Sequence, residues 1–300
     1  MIMIDLSRTL GKSFFDDRVR RTGLPYTFEL FLKEYQHSFL YNIRTLNQTR
    51  SLENHSSRPF NTAEIMLLYK IARRILFSMN PETAHAVTLA NLDWAVNFGV
   101  TNLITHMPDD DPVEVMGLRF PNTVGLAAGM DKDGKHVTAF GGLGFGHVEI
   151  GTITPLAQPG NPKPRLFRLI PAGGIVNRMG FNNEGVDKVL ENLRSADAFR
   201  LRGGILGINI GKNAVTPIEN ALSDYEKCLD KVYDAADYIA VNISSPNTKN
   251  LRQLQGKGEL DHLVEGIVKK REELKAARNG KHVPIAVKIA PDLENDEILR

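Results

Sequence analysis

Five short, continuous apolar segments recur along the second half of the chain, and they limit the possible fold more than any other feature. They are, in order, Thr123–Ala128, His147–Thr152, Ile205–Ile210, Tyr238–Ile243 and Pro284–Ile289. A continuous apolar run of this length is typical of a strand buried on both faces of a parallel sheet. Polar helical stretches separate most of them, so the pattern predicts repeated βα units. Such units form either a (β/α)8 barrel or an open doubly wound sheet.

The connecting segments support this interpretation. Helical stretches are predicted at Asn183–Asp197, Ile218–Ala235 and Glu259–Arg278. The segment Pro155–Phe181 is too long for a simple crossover between the second and third strands, and we expect it to contain a small antiparallel hairpin. No GxGxxG motif follows the first strand, so the usual dinucleotide-binding signature is absent there.

Composition excludes several classes of protein. With 42% hydrophobic and 24% charged residues, the 300-residue chain has the mixture of a folded domain rather than a disordered or collagen-like one. A net charge of +2 gives no general attraction to nucleic acid. The single cysteine, Cys228, cannot form an internal disulfide, and we expect it to be a buried small hydrophobe. No run of 18 apolar residues predicts a spanning helix, and Met1–Gly11 lacks the pattern of a signal peptide.

The chain divides into three predicted regions: residues 1–65, 66–107 and 113–300. The first is an extension of unknown role, with one apolar helical face between residues 28 and 46 and a polar linker at Ser51–Thr62. The second is predicted to form a helical hairpin, whose second helix begins at Asn80–Pro81. Its short, basic, amphipathic helices fit either a membrane surface or a cover over one end of a barrel.

Polar residues gather just after the carboxyl ends of the five predicted strands. In a parallel barrel these ends converge on one mouth, where catalytic groups lie. Five polar strand ends in register are hard to explain by packing, so we predict an active site there. The segments are Ala128–Gly134, Gly151–Pro155, Asn209–Asn213, Asn242–Asn247 and Lys288–Pro291.

The residue types at these ends indicate the kind of ligand. Lys132 and Lys288 offer positive charge, and a buried ammonium on an apolar strand must be paired. Asparagines offer donors and acceptors that match amides and carboxylates, and glycines at 129 and 151 would let a flat ring approach the backbone. This suits a planar, anionic, amide-rich ligand. The sequence has no zinc-type Cys/His spacing, no HExxH motif, no carboxylate cage and no evident Ser-His-Asp arrangement.

Four motifs together resemble the dihydroorotate dehydrogenase family, which oxidises dihydroorotate to orotate with FMN in pyrimidine synthesis. The resemblance runs from Met66 to Arg300 and implies a (β/α)8 TIM-barrel type of α/β fold. The motifs are Gly125–Gly134, Gly144–Pro155 continuing to Pro164-Arg165, Asn177–Asn183 and Asn242–Asn247.

The resemblance extends to the quinone-dependent, membrane-associated class of this family. Ser245 occupies the place where the soluble class carries cysteine, and the segment Asn80–His85 is similar to the helical region of the membrane class. The implied partners are dihydroorotate or orotate, a membrane quinone and a peripheral membrane surface, with no nucleic acid and no metal. The implied location is peripheral, on the cytoplasmic face of the cell (inner) membrane.

The resemblance also implies roles for individual residues. Ser245 would be the base that removes the C5 proton while hydride passes from C6 to the flavin. FMN would be bound by Ala128, Gly129, Met130, Asp131, Lys132, Thr152, Asn209, Asn242 and Lys288. Substrate would be bound by Lys132, Asn177, Arg178, Met179, Gly180, Phe181, Asn242 and Asn247. His85 and Arg168 would line the quinone tunnel.

The chain departs from the family pattern in its length. Five βα units are predicted where the barrel has eight, and the chain stops at Arg300, inside the helix expected after the fifth strand. The expected structure is therefore an incomplete barrel without the loops that grip the FMN phosphate. Two functions stay open at this point: a quinone-linked flavoenzyme, and a non-catalytic truncated remnant that is unable to hold FMN.

Overall fold

The computed structural model of the protein describes residues 62–101, 111–290 and 292–293. The predicted helical face between residues 28 and 46, most of the linker and the last helical segment lie outside the described residues. Contacts divide the chain into two compact units. Of the described residues, unit 1 comprises 62–82 and 166–177, and unit 2 comprises 83–101, 111–165, 178–290 and 292–293.

The described elements follow in chain order. The strands are β1 (Val113–Val115), β2 (Leu118–Phe120), β3 (Gly125–Leu126), β4 (His147–Ile153), β5 (Leu166–Leu169), β6 (Gly174–Asn177), β7 (Ile205–Ile210), β8 (Tyr238–Asn242) and β9 (Ile285–Lys288). The α-helices are α1 (Thr62–Ser78), α2 (Pro81–Asn97), α3 (Val137–Gly141), α4 (Val186–Asn192), α5 (Asp197–Arg200), α6 (Ala221–Val232) and α7 (Lys257–Ala277).

The core of unit 2 is a five-stranded parallel sheet in the order β3-β4-β7-β8-β9. The central strands are buried on both faces: Ile150, Ile208 and Ile239 are fully inaccessible. This confirms the α/β architecture and the five strands expected from the apolar runs. Helix α6 buries Cys228, as predicted, and burial raises the pKa of its thiol.

Two features of the sheet differ from the sequence prediction. Strand β3 is only two residues long rather than spanning Thr123–Ala128, because the chain leaves the sheet into the loop that carries Gly129 at φ 115°. The antiparallel pair β1–β2 was not predicted. Its turn places Met116 and Gly117 at positive φ, which is the signature of a tight two-residue hairpin.

Unit 1 contains α1 and the antiparallel pair β5–β6, which confirms the hairpin predicted within Pro155–Phe181. Arg168 on β5 donates hydrogen bonds to the carbonyl oxygens of Leu76 (3.2 Å), Phe77 (3.3 Å) and Met79 (2.9 Å). Its guanidinium also lies 4.7 Å from the centre of the Phe77 ring. A cation at a helix carboxyl end satisfies carbonyls that have no partner within the helix. Arg168 therefore fixes the end of α1.

The amino end of the parallel sheet is closed by apolar side chains around His147. Phe120, Tyr238 and Ala240 form a buried cluster there, and the Phe120 ring meets the imidazole edge to face at 5.3 Å. The imidazole Nδ1 is buried and has no hydrogen-bond partner among the described residues. Burial lowers the pKa of His147, and the Glu149 carboxylate opposes this shift only in part.

We expect the free energy of unfolding to fall as the pH drops below about 6.5, the ordinary value for histidine. The unfolded chain takes up a proton at His147 in that range while the folded chain does not, so stability increases with pH through this window. The change His147→Phe keeps a ring against Phe120 and removes the titration. Denaturant unfolding at pH 5 and pH 7.5 should show a smaller difference for this variant than for the parent chain. An equal difference in both proteins would contradict the assignment.

Candidate active site

A buried hydrogen-bond network joins the carboxyl halves of four neighbouring strands. The Thr152 hydroxyl donates to Asn209 Oδ1 at 2.5 Å, and Asn242 Nδ2 donates to Thr152 Oγ1 at 2.9 Å and to Asn209 Oδ1 at 3.3 Å. Asn242 and Lys288 are register partners on β8 and β9. Because parallel strands present their carboxyl ends at one edge, these polar residues meet there. The structure thus brings together four of the nine residues expected to bind FMN.

Two further members of this network were missed by the sequence analysis. Glu149 Oε1 accepts hydrogen bonds from Asn209 Nδ2 (2.8 Å) and Lys288 Nζ (3.2 Å), and its Oε2 accepts one from the Tyr238 hydroxyl (3.0 Å). The side chains of Glu149 and Lys288 are 1% and 6% exposed, so this is a buried ion pair. Burial, together with the Glu149 carboxylate, raises the pKa of Tyr238, so its hydroxyl stays protonated and donates.

In the loop after β3, the backbone at Gly129 has free space beside it, whereas the Asp131 side chain is held by hydrogen bonds. A β-carbon at Gly129 would have no heavy atom within 4 Å, so there is room for a flat group against this backbone. The neighbouring Ala128 and Met130 are half-buried. The Asp131 carboxylate, by contrast, accepts the backbone N–H groups of Lys135 (3.0 Å) and His136 (2.8 Å). Burial raises the pKa of Asp131, and these two bonds oppose the rise, so the side chain orders the loop.

Gly151 has a packing reason that the sequence analysis did not identify. It has φ 107°, and a β-carbon there would lie 2.4 Å from the backbone oxygen of Asn209. Strands β4 and β7 approach each other too closely for any side chain at this position. Approach of a ring to the backbone at Gly151, which we expected, is therefore not needed to explain this glycine.

Lys132 connects the first loop to the segment after β6. Its ammonium donates to Asn182 Oδ1 at 2.9 Å and to the Gly180 carbonyl at 3.4 Å. The Phe181 side chain is buried. Its ring lies beside Gly211 at the strand ends: a β-carbon at Gly211 would lie 2.8 Å from Phe181 Cε2 and 2.6 Å from Thr152 Cγ2. Lys132, Gly180 and Phe181 therefore lie at the same edge of the sheet as Thr152.

Asn161 joins two segments that carry predicted substrate residues. Its Nδ2 donates to the carbonyl of Arg178 at 2.8 Å and to the carbonyl of Asn247 at 3.1 Å, and its backbone N–H donates to the carbonyl of Met179 at 3.0 Å. Asn161 was not among the residues predicted for the site. Its position in a Gly-Asn-Pro turn is the only signal that could have done so.

The loop that carries Ser245 follows β8 directly. The Ser245 hydroxyl oxygen accepts the N–H of Asn247 at 3.3 Å. The 3₁₀ helix Leu251–Gln255 holds the start of the loop, because Arg252 donates to the Ser244 carbonyl at 3.2 Å and Gln255 to the Ile243 carbonyl at 3.3 Å. Ser245 is half-buried, three residues beyond Asn242 in the network.

The remaining three predicted site residues lie on β6, β5 and α2. Asn177 ends β6 in unit 1, paired with Leu166 across the hairpin, and Arg168 lies in the same unit. His85 lies on α2 in unit 2 and is half-buried. Within the described ranges, no group of three or more His, Cys, Asp or Glu residues could hold a metal ion.

Comparison with protein families and curated sequences gives consistent matches. Residues 112–299 match the family model described as dihydroorotate dehydrogenase. A protein named dihydroorotate dehydrogenase (quinone) from Teredinibacter turnerae is 59% identical over 231 residues, which are 77% of this chain and 67% of that protein. A protein of the same name from Dechloromonas aromatica is 56% identical over 232 residues, 77% of this chain and 66% of its own length. The chain spans about two thirds of the length of these relatives.

Solved structures agree in fold. The dihydroorotate dehydrogenase of Eimeria tenella in complex with ferulenol matches with a TM-score of 0.63 and 39% identity, covering 73% of this chain and 61% of that one. The ligand-free form of the Eimeria protein gives a TM-score of 0.62 at 40% identity, covering 73% and 63%.

Proposed function

This chain belongs to the dihydroorotate dehydrogenase family, and from that premise we propose that it takes part in the oxidation of dihydroorotate to orotate in de novo pyrimidine (UMP) biosynthesis. In this reaction the hydride would pass to bound FMN, and a quinone would be the final electron acceptor. The observation that carries the proposal is the buried network of Thr152, Asn209, Asn242 and Lys288 at one edge of the parallel sheet. This network is intact in the described residues, which favours the flavoenzyme over a non-catalytic remnant.

The residues at this edge fit a flavin in shape and in hydrogen-bonding groups. The open backbone at Gly129 admits a planar ring, and the ammonium of Lys288 carries three N–H groups, one of which goes to Glu149. Asn209 has a second amide hydrogen beyond the one given to Glu149. The remaining proposed FMN contacts are Ala128, Met130, Asp131, Lys132, Thr152 and Asn242. Bound FMN supplies the redox step, and the protein supplies position and charge.

Substrate binds next to Lys132 and the loop that carries Ser245. The ammonium of Lys132 lies among carbonyl and amide oxygens of the segment Arg178–Asn182, where it pairs with an anionic ring or carboxylate. Asn177, Arg178, Met179, Gly180, Phe181, Asn242 and Asn247 are the remaining proposed substrate contacts. Lys and Asn donors stabilise the negative charge that develops on a carbonyl oxygen when the adjacent proton is removed.

Ser245 is the base that removes the C5 proton as hydride leaves C6. A serine hydroxyl is a weak base, so it depends on position, and as it takes the C5 proton it must release its own proton to solvent, to which the half-buried side chain has access. The 3₁₀ helix Leu251–Gln255 fixes the start of its loop, and Asn161 fixes the end through the Asn247 carbonyl. These anchors hold the hydroxyl while the proton is transferred.

A direct assay tests the proposal. The purified protein is loaded with FMN, freed of unbound flavin and mixed anaerobically with dihydroorotate. The flavin absorbance band should be bleached with formation of orotate, and a soluble quinone should restore it. A flavin-loaded protein that dihydroorotate does not bleach would contradict the proposed activity.

A membrane quinone requires contact with the membrane, and the exposed surface of helix α1 is suited to this contact. Helix α1 exposes Leu67, Leu68, Ile71 and Ile75, and the exposed side chains of Lys70, Arg73 and Arg74 lie beside them. Apolar and basic side chains on one short helix suit the surface of an anionic bilayer. Among the described helices, none is both long and apolar enough to cross a membrane. We place the protein peripherally on the cytoplasmic face of the cell membrane, with His85 and Arg168 on the quinone path.

Charged substitutions on α1 should weaken this attachment. The double change Ile71→Asp and Ile75→Asp removes two exposed apolar side chains and adds two negative charges, so we expect at least roughly 10-fold weaker binding to vesicles of anionic phospholipid. Sedimentation with the vesicles measures it. The matched control is Val215→Asp, another exposed apolar side chain, which lies in unit 2. Equal binding by the α1 variant and the parent chain would contradict membrane attachment through this helix.

A further inference from the structure

Glu149 is the only charged partner that the described structure shows for the Lys288 ammonium. The two side chains are 3.2 Å apart and almost completely buried. A buried charge is costly unless an opposite charge and hydrogen bonds compensate it. The position of the ammonium is therefore set by whatever holds the carboxylate.

The Glu149 carboxylate is itself held from two other strands. Asn209 on β7 donates to the same oxygen that Lys288 contacts, and Tyr238 on β8 donates to the other oxygen. The carboxylate thus receives three donors from three different strands, and its side chain has little freedom to turn. It presents one oxygen to the ammonium on β9, at the edge where Thr152 and Asn242 meet.

We propose that Glu149 is a positioning residue that holds the Lys288 ammonium at the flavin side of the sheet. This rests on the proposed function, in which Lys288 faces the bound flavin and stabilises its reduced, anionic form. Without the carboxylate, the ammonium leaves its buried place for water. The flavin then loses the same positive charge that it loses when Lys288 itself is removed.

The first test needs no flavin and measures where the ammonium lies. Lysine acylation with an N-hydroxysuccinimide ester, followed by mass spectrometry, gives a labelling rate for each lysine. In Glu149→Gln, Lys288 should react roughly 10-fold faster or more than in the parent chain, since a hydrogen bond to a charged group contributes about this factor. Lys212, which is 2% exposed, should stay protected and report an intact fold, while Lys227 should react rapidly in both proteins.

Two further variants make this test selective. Tyr238→Phe removes one of the donors that hold the carboxylate but keeps the charge beside Lys288, so the labelling of Lys288 should rise less than in Glu149→Gln. If Lys212 also reacts faster in Glu149→Gln, the fold is disturbed, and the test is repeated with Glu149→Asp. This variant keeps the charge but moves it one methylene away from Lys288. Faster labelling of Lys288 alone supports the proposal, and parent-like protection of Lys288 overturns it.

The second test measures the link to the flavin by its midpoint potential. Glu149→Gln should lower the potential in the same direction as Lys288→Met, and the double variant should lower it no further than Lys288→Met alone. A potential that stays unchanged or rises in Glu149→Gln overturns the proposed role, since the carboxylate would then only offset the lysine charge. Should the parent chain bind no flavin, the proposed function fails, while the labelling comparison still decides whether Glu149 holds Lys288.

Discussion

Replacing Ser245 with alanine is expected to lower turnover of dihydroorotate by roughly 100-fold or more, the scale of a lost general base. The loop should keep its shape, because its anchors come from Arg252, Gln255 and Asn161 rather than from the serine. The substitution removes a long hydrogen bond of 3.3 Å, which the N–H of Asn247 donates to the hydroxyl oxygen. Flavin content should therefore be unchanged. Anaerobic stopped-flow reduction of the bound flavin by dihydroorotate measures the step directly.

Two comparisons isolate the chemical role of the hydroxyl. Ser245→Cys keeps a group that accepts a proton and should reduce flavin faster than Ser245→Ala. Ser223→Ala removes another serine hydroxyl, which donates to the Asn220 carbonyl before α6, and should react like the parent chain. Flavin reduction by Ser245→Ala at nearly the parent rate would reject Ser245 as the base.

The parallel sheet could be predicted from the sequence because its strands are buried, and buried strands appear as continuous apolar runs. Ile205–Ile210 is a strand with the bounds predicted, since every residue of this run after the first is buried. Asn209 and Asn242 are poor strand formers inside apolar strands, which favoured contact with a ligand. The structure shows their side chains bonded to Thr152 and to each other, and the ligand contact stays a prediction. What those contacts do for a ligand stays a proposal.

Glu149 shows what the sequence analysis overlooked. It lies inside an apolar strand, as Lys288 does, and the rule that a buried charge must be paired applies equally to both. Treating the two charges together would have predicted the ion pair between β4 and β9. Asn161 is different in kind, because its two acceptors are 17 and 86 residues away in sequence and only the folded loops bring them together.

Replacing Asn209 with leucine is expected to have the second large effect, on flavin binding and on stability together. Asn209 is fully buried and bonds to Thr152, Asn242 and Glu149, so a leucine of similar volume leaves three polar partners short of one bond each. Leaving a buried polar group without its hydrogen bond costs about 1–3 kcal/mol, and more where the group is charged. We expect the free energy of unfolding to fall by about that amount and the Kd for FMN to rise by roughly 10-fold or more.

The matched control is Asn213→Leu, because Asn213 is also buried and its side chain makes four hydrogen bonds, all to residues 154–158 and none to the network of Asn209. Denaturant unfolding should show a comparable loss of stability in both variants, whereas flavin fluorescence titration should show weaker FMN binding chiefly in Asn209→Leu. Equal weakening in both would mean that flavin affinity follows stability alone. A selective effect of Asn209→Leu ties the flavin to the strand-end network, because both variants break a buried polar cluster and only Asn209 belongs to that network.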